Sequence, residues 1–89
     1  MSPDIANAEV IAVAVASATT TVPSGTQAGD VLQIASTTNC FMTFTATATA
    51  TDLFIPAATV FYFVVPSNVT DIAAIRQTGD GTMSIVRMI

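Results

Sequence analysis

Apart from Tyr62, the side chains of this chain that can carry charge are six carboxylates, two guanidinium groups and one thiol. They are Asp4, Glu9, Asp30, Asp52, Asp71 and Asp80, then Arg76 and Arg87, then Cys40. Nucleophilic catalysis by a Ser-His-Asp or Cys-His arrangement needs histidine as its base, and the sequence has none. The same absence, with a single cysteine, rules out a Cys/His zinc site and an internal disulfide. Cys40 alternates with Met42 and Phe44 and has no cation near it in sequence to stabilise a thiolate. It reads as a small buried hydrophobe.

Paired carboxylates could act as acid and base, as in glycoside hydrolysis. Most of the acidic residues here instead stand beside Gly, Pro or Thr, where a short carboxylate bonds its own turn. A calcium loop needs closely spaced oxygen ligands, and Asp80-Gly81 offers one. Gly25, Gly29, Gly79 and Gly81 do not form a phosphate loop between a strand and a helix. Asn68-Val69-Thr70 matches a glycosylation acceptor, which matters only in a secreted eukaryotic protein. In Phe61-Tyr62-Phe63, strand alternation divides the rings between two faces, so they make no sugar-binding platform. The expectation is therefore no catalytic, cofactor-binding or metal-binding residues, no cofactor and no enzyme activity.

The elements that carry these residues have a period of two, with turn residues about every ten positions. Residues 1–8, with Pro3 and little periodicity, read as an N-terminal arm, and residues 9–89 as one β-sandwich domain. Glu9 to Ala18 reads as one strand with Ile11, Val13 and Val15 inward and alanines outward. Thr19 to Val22 is a short extended piece stopped by Pro23. Val31 to Ala35 places Leu32 and Ile34 inward. Cys40 to Ala48 places Cys40, Met42, Phe44 and Ala46 on one face and Thr43, Thr45 and Thr47 on the other. Asp52 lies in a connection ended by Ile55-Pro56. Thr59 to Val65 is apolar on both faces, which predicts burial from both sides. Asp71 to Arg76 and Thr82 to Met88 read as a hairpin across Gly79-Asp80-Gly81, with Arg76 and Arg87 placed to pair with Asp71 or Asp80. The fold class is all-β, a small antiparallel sandwich or barrel of about 7–8 strands.

Composition adds a constraint on how such a domain survives. At 89 residues it buries a thin core, and small domains compensate with disulfides, metals or oligomerisation. Only the last is open here. Charged residues are 9% of the chain, against about 25% in ordinary soluble domains. A surface so poor in charge implies cover by neighbours; the alternative is a Thr-rich monomer from a secreted or saline setting. The net charge of −4 and two scattered arginines exclude phosphate-backbone binding and disfavour anionic membranes. The apolar stretch Val10–Ala18 follows Asp4 and Glu9, unlike a signal peptide, and is far shorter than the ~20 residues of a membrane helix. Use without secretory export is expected.

Taken in order, several segments resemble a group of small tailed-phage virion proteins encoded among capsid genes. They are Thr21-Val22-Pro23-Ser24-Gly25, Val31-Leu32-Gln33-Ile34 and Phe41-Met42-Thr43-Phe44-Thr45-Ala46-Thr47-Ala48. Ile55-Pro56-Ala57 leading to Phe61-Tyr62-Phe63 follows, then Val69 to Ile75, the Gly-Asp-Gly turn and a last Ile/Val strand. The likeness is one of order and texture over Val10–Met88. It implies a β-sandwich that decorates or cements a capsid shell on the virion surface. The implied partners are a major capsid protein and further copies of itself, with a trimer favoured. On this reading the arm orders on a neighbouring subunit. A subunit of a tail, fibre or surface filament, or a carbohydrate-binding module, are the alternatives.

Overall fold

The computed structural model describes residues 2–89. Eight strands form: β1 (Glu9–Val13), β2 (Ala18–Thr21), β3 (Val31–Ser36), β4 (Cys40–Thr43), β5 (Leu53–Ile55), β6 (Val60–Val64), β7 (Asp71–Arg76) and β8 (Gly81–Met88). They make two four-stranded antiparallel sheets, β1-β8-β3-β6 (sheet A) and β2-β7-β4-β5 (sheet B). The all-β sandwich read from the periodicity is what forms.

The pairing is nested. β1 lies against β8, β2 against β7, β3 against β6, and β4 against β5. The chain is thus one long hairpin, rolled so that β3 also meets β8 and β4 also meets β7. This is the strand order of the jelly roll, an eight-stranded arrangement that manages exposed sheet edges by doubling the sheet over.

Alternation explains which side chains enter the space between the sheets. Ile11 and Val13 of β1, Leu32 and Ile34 of β3, and Met83 and Ile85 of β8 point in from sheet A. Cys40 and Met42 of β4, Ile55 of β5, and Ile72 and Ala74 of β7 meet them from sheet B. Phe44, Phe61 and Phe63 close the side of the core where the sheets end; Phe44 meets Phe63 edge-on at 6.2 Å. The Pro23–Asp30 loop makes two turns, each closed by a backbone bond: Thr26 N–H to Pro23 O and Asp30 N–H to Gln27 O.

Several expectations are corrected. The strand expected over Glu9–Ala18 stops at Val13, where the chain crosses to sheet B, and Val15 is 70% exposed instead of inward. The strand expected over Cys40–Ala48 stops at Thr43. Beyond it Thr45 Oγ1 bonds Thr43 Oγ1 and donates to Thr47 O, a local alternative to the ladder. Residues Leu53–Ile55, read as connection, are a short edge strand. β7 and β8 are no hairpin: each already has partners on both sides, in different sheets, and the Gly-Asp-Gly segment carries the chain between them. β6 is buried on one side only; Val60, Tyr62 and Val64 face solvent.

Residues 2–4 of the arm pair with the end of their own chain. Ser2 and Ile89 exchange backbone hydrogen bonds, Asp4 N–H donates to Arg87 O, and Pro3 bridges Met88. After a 3-10 turn at Ile5–Asn7 the chain rejoins the same edge of β8 as β1. The arm is an interrupted first strand.

Candidate interaction surface

The groups that could do chemistry are dispersed, and several of the acids hold local structure. Asp30 Oδ2 accepts the Gln27 N–H at 2.9 Å, and Asp52 Oδ2 accepts the Thr49 N–H at 2.7 Å. Asp4 Oδ2 accepts from the Asn7 amide, and Glu9 Oε2 from the Thr20 hydroxyl. Arg76 pairs with Asp80 at 2.6 Å, as the sequence allowed. Arg87 pairs with neither Asp71 nor Asp80. Being inward at the end of β8, it donates to the Gly25 carbonyl and sits 3.8 Å from Asp4 and 3.9 Å from Asp30. It ties the arm, the Gly25 loop and the start of β3 together. Among the described residues, no three potential metal ligands come together and no cavity opens.

Cys40 is fully buried, with its sulfur 3.6 Å from the Ser36 hydroxyl. Burial pushes its thiol above the ordinary value near 9, and the Ser36 contact opposes that only in part. The unfolded chain therefore releases this proton at lower pH than the folded one. The stability that depends on the neutral thiol is complete below pH 9 and is lost as pH rises through the folded value. Wild type is expected to lose stability above pH 9 more steeply than Cys40→Ala, in denaturant titrations at pH 7 to 11. Equal slopes would show that Cys40 does not contribute.

What the fold does assemble is a pair of surfaces. On sheet A the registers align outward residues in rows. One row is Val10, Ser84, Ala35 and Val60; the next is Val86, Gln33 and Tyr62; the third is Met88, Val31 and Val64. Ala12 and Thr82 complete the face, which therefore carries no charged side chain. Val10 is 59% exposed, Val60 49%, Tyr62 59% and Val64 65%. On sheet B the outer face has Phe41 and Phe54 with centroids 5.5 Å apart beside Ile75, and Asp71 at one corner.

An apolar face with no charge is not how a small soluble domain normally meets water. Periodicity gave Thr59–Val65 a second apolar face and set the alanines of Glu9–Ala18 outward. The structure puts Val10 and β6 at opposite edges of one sheet, and β3 and β8 supply the middle of that surface. The missing signal was pairing: Val31, Gln33, Ala35 and Val86 look unremarkable until the register sets them side by side.

No family model matches the chain, and no curated protein or solved structure matches it.

Proposed function

We propose that this protein is a structural subunit of a larger assembly, with decoration or cementing of a tailed-phage capsid as the specific role. The observation that carries the reading is the outer face of sheet A: four strands wide, uncharged, with three exposed valines and a tyrosine. Such a face gains free energy by leaving water, roughly 25 cal/mol per Å² before association costs are subtracted. Repeated over many identical sites on a shell, modest contacts add through multivalency. The jelly-roll strand order supports the reading by analogy alone, since viral capsid proteins use it, as do lectins and cupins. Against a sugar- or metal-binding role stand the dispersed acids and the absence of histidine.

Binding to intact tailed-phage capsid shells tests the role. Wild type is expected to co-sediment with shells. Val86→Lys, which sets an ammonium in the middle of the face, is expected to weaken binding at least about tenfold, or ~1.4 kcal/mol. No co-sedimentation, with no capsid gene nearby, would defeat the capsid role. Extended polymers formed without shells would point to a filament subunit instead.

A further inference from the structure

Among the described residues, β6 is an edge strand whose only neighbour is β3. Val65 N–H donates to Asp30 O, so alternation makes Phe63 with Leu32 and Phe61 with Ile34 the hydrogen-bonded pairs. The N–H and C=O groups of Val60, Tyr62 and Val64 therefore point away from the sheet. An open row of this kind is a template for another strand, and proteins usually guard it with charge, proline or a bulge. Here the strand itself holds no charged residue and no proline; Pro56 and Pro66 stand outside it.

The sequence of this edge is Val60-Phe61-Tyr62-Phe63-Val64, which reads the same in both directions. We infer that β6 pairs with β6 of a second copy, antiparallel about a two-fold axis through Tyr62, joining the two A sheets into one of eight strands. A two-fold interface must be self-complementary, and the palindrome sets Val against Val, Phe against Phe and Tyr against Tyr across the axis. Val60 with the second copy's Val64, Tyr62 with its counterpart, and Val64 with Val60 form three hydrogen-bonded pairs, which occupy the row that β3 leaves open. Two chains of net charge −4 can meet here because the carboxylates lie elsewhere. The acidic residue beside the end of β6, Asp30, is engaged by the Gln27 N–H and faces Arg87. Two copies close this edge in both chains, and a third copy finds no free β6 to pair with.

The paired edge is about 17 Å long at ~3.4 Å per residue. One strand edge of that length covers far less than the ~800 Å² per partner of a stable interface, itself about a sixth of the 4629 Å² this chain exposes. The dimer is therefore reversible, with its midpoint in the micromolar range. The inference deepens the assembly reading and takes from it only the purpose of the dimer. Dimerisation in free solution tests the edge, and shell binding tests the role, so either can fail alone.

Sedimentation velocity over a concentration series is the first measurement. Wild type should pass from monomer to dimer, and Val64→Lys should raise the midpoint at least about tenfold while keeping its β circular dichroism. Val10→Lys, on the same face at the far edge, should leave the midpoint unchanged. Oxidative cross-linking fixes the register. Tyr62→Cys should cross-link to itself, since Cα atoms ~5.5 Å apart suit a disulfide. An equal mixture of Val60→Cys and Val64→Cys should cross-link more than either alone. A wild type that stays monomeric at millimolar concentration, or equal loss of dimer in the Val10 and Val64 variants, overturns the proposal.

Discussion

Leu32→Ala is expected to remove about 2–5 kcal/mol of folding stability. Leu32 is fully buried in β3, with β8 on one side and β6 on the other, and its side chain enters the core from the middle of sheet A. The strands around it are pinned by their ladders and cannot collapse into the vacated space, so both lost burial and a residual cavity contribute. An 89-residue domain has about 4–13 kcal/mol in total. The substitution should therefore leave a large unfolded fraction at room temperature or a much lower urea midpoint. Val10→Ala, at an exposed position of the same sheet, is expected to change stability by no more than about 0.5 kcal/mol. A loss below about 1 kcal/mol for Leu32→Ala would mean that the core is looser than its burial implies.

Gly81→Ala carries the second large effect, about 1–3 kcal/mol, by overpacking. The reason is space and not backbone freedom: the positive-φ glycines are Gly25 and Gly29. A Cβ at position 81 would lie 2.6 Å from Thr37 Oγ1, 2.7 Å from Thr38 Cγ2 and 2.9 Å from Thr38 Cβ. Neither threonine is free to yield. Thr37 Oγ1 accepts the Thr82 N–H at 2.9 Å, and Thr38 Oγ1 donates to Gly79 O at 2.8 Å. Gly79 is the internal comparison, because a Cβ there meets only Thr38 Oγ1, at 3.4 Å. Gly79→Ala should stay within about 0.5 kcal/mol of wild type in the same urea titration. Equal effects at the two glycines would contradict the assignment to packing.

The two cases mark how far the sequence could be read. Leu32 was placed inward by alternation alone, as were Ile34, Cys40, Met42, Ile11 and Val13, because a pleated strand fixes the face of every second residue. Alternation does not say where a strand leaves one sheet for the other. Val15 continues the inward parity of Ile11 and Val13, yet the chain has already turned away at Ala14, whose carbonyl accepts from Arg76 N–H in β7. The Gly-Asp-Gly segment has hairpin chemistry, but β7 and β8 are claimed by β2, β4, β1 and β3, so the tight space at Gly81 arises from Thr37 and Thr38 and not from a neighbouring strand of a hairpin. Leu53–Ile55 was too short, and too near Pro56, for a periodic signal.

The candidate surface was half legible for the same reason. That β6 had an apolar second face was evident from its residues. That this face belongs to an edge, with open hydrogen-bonding groups beside it, depended on long-range pairing that composition does not encode. The search for chemistry fared differently. Acids beside turn residues were read as turn-formers, and Asp30 and Asp52 each hold the N–H three residues earlier.

The mutual hydrogen bonds of Ser2 and Ile89 give the rolled hairpin the character of a nearly closed loop. Its open base lies at one corner of sheet A and its tip is the Thr49–Asp52 turn between β4 and β5. Bridging the base with a short linker and cutting the tip would reverse which strands come first in the chain while leaving every rung of the ladder with its present partner. Any domain fused at both ends would likewise sprout from a single point, on the flank of the sandwich opposite β6.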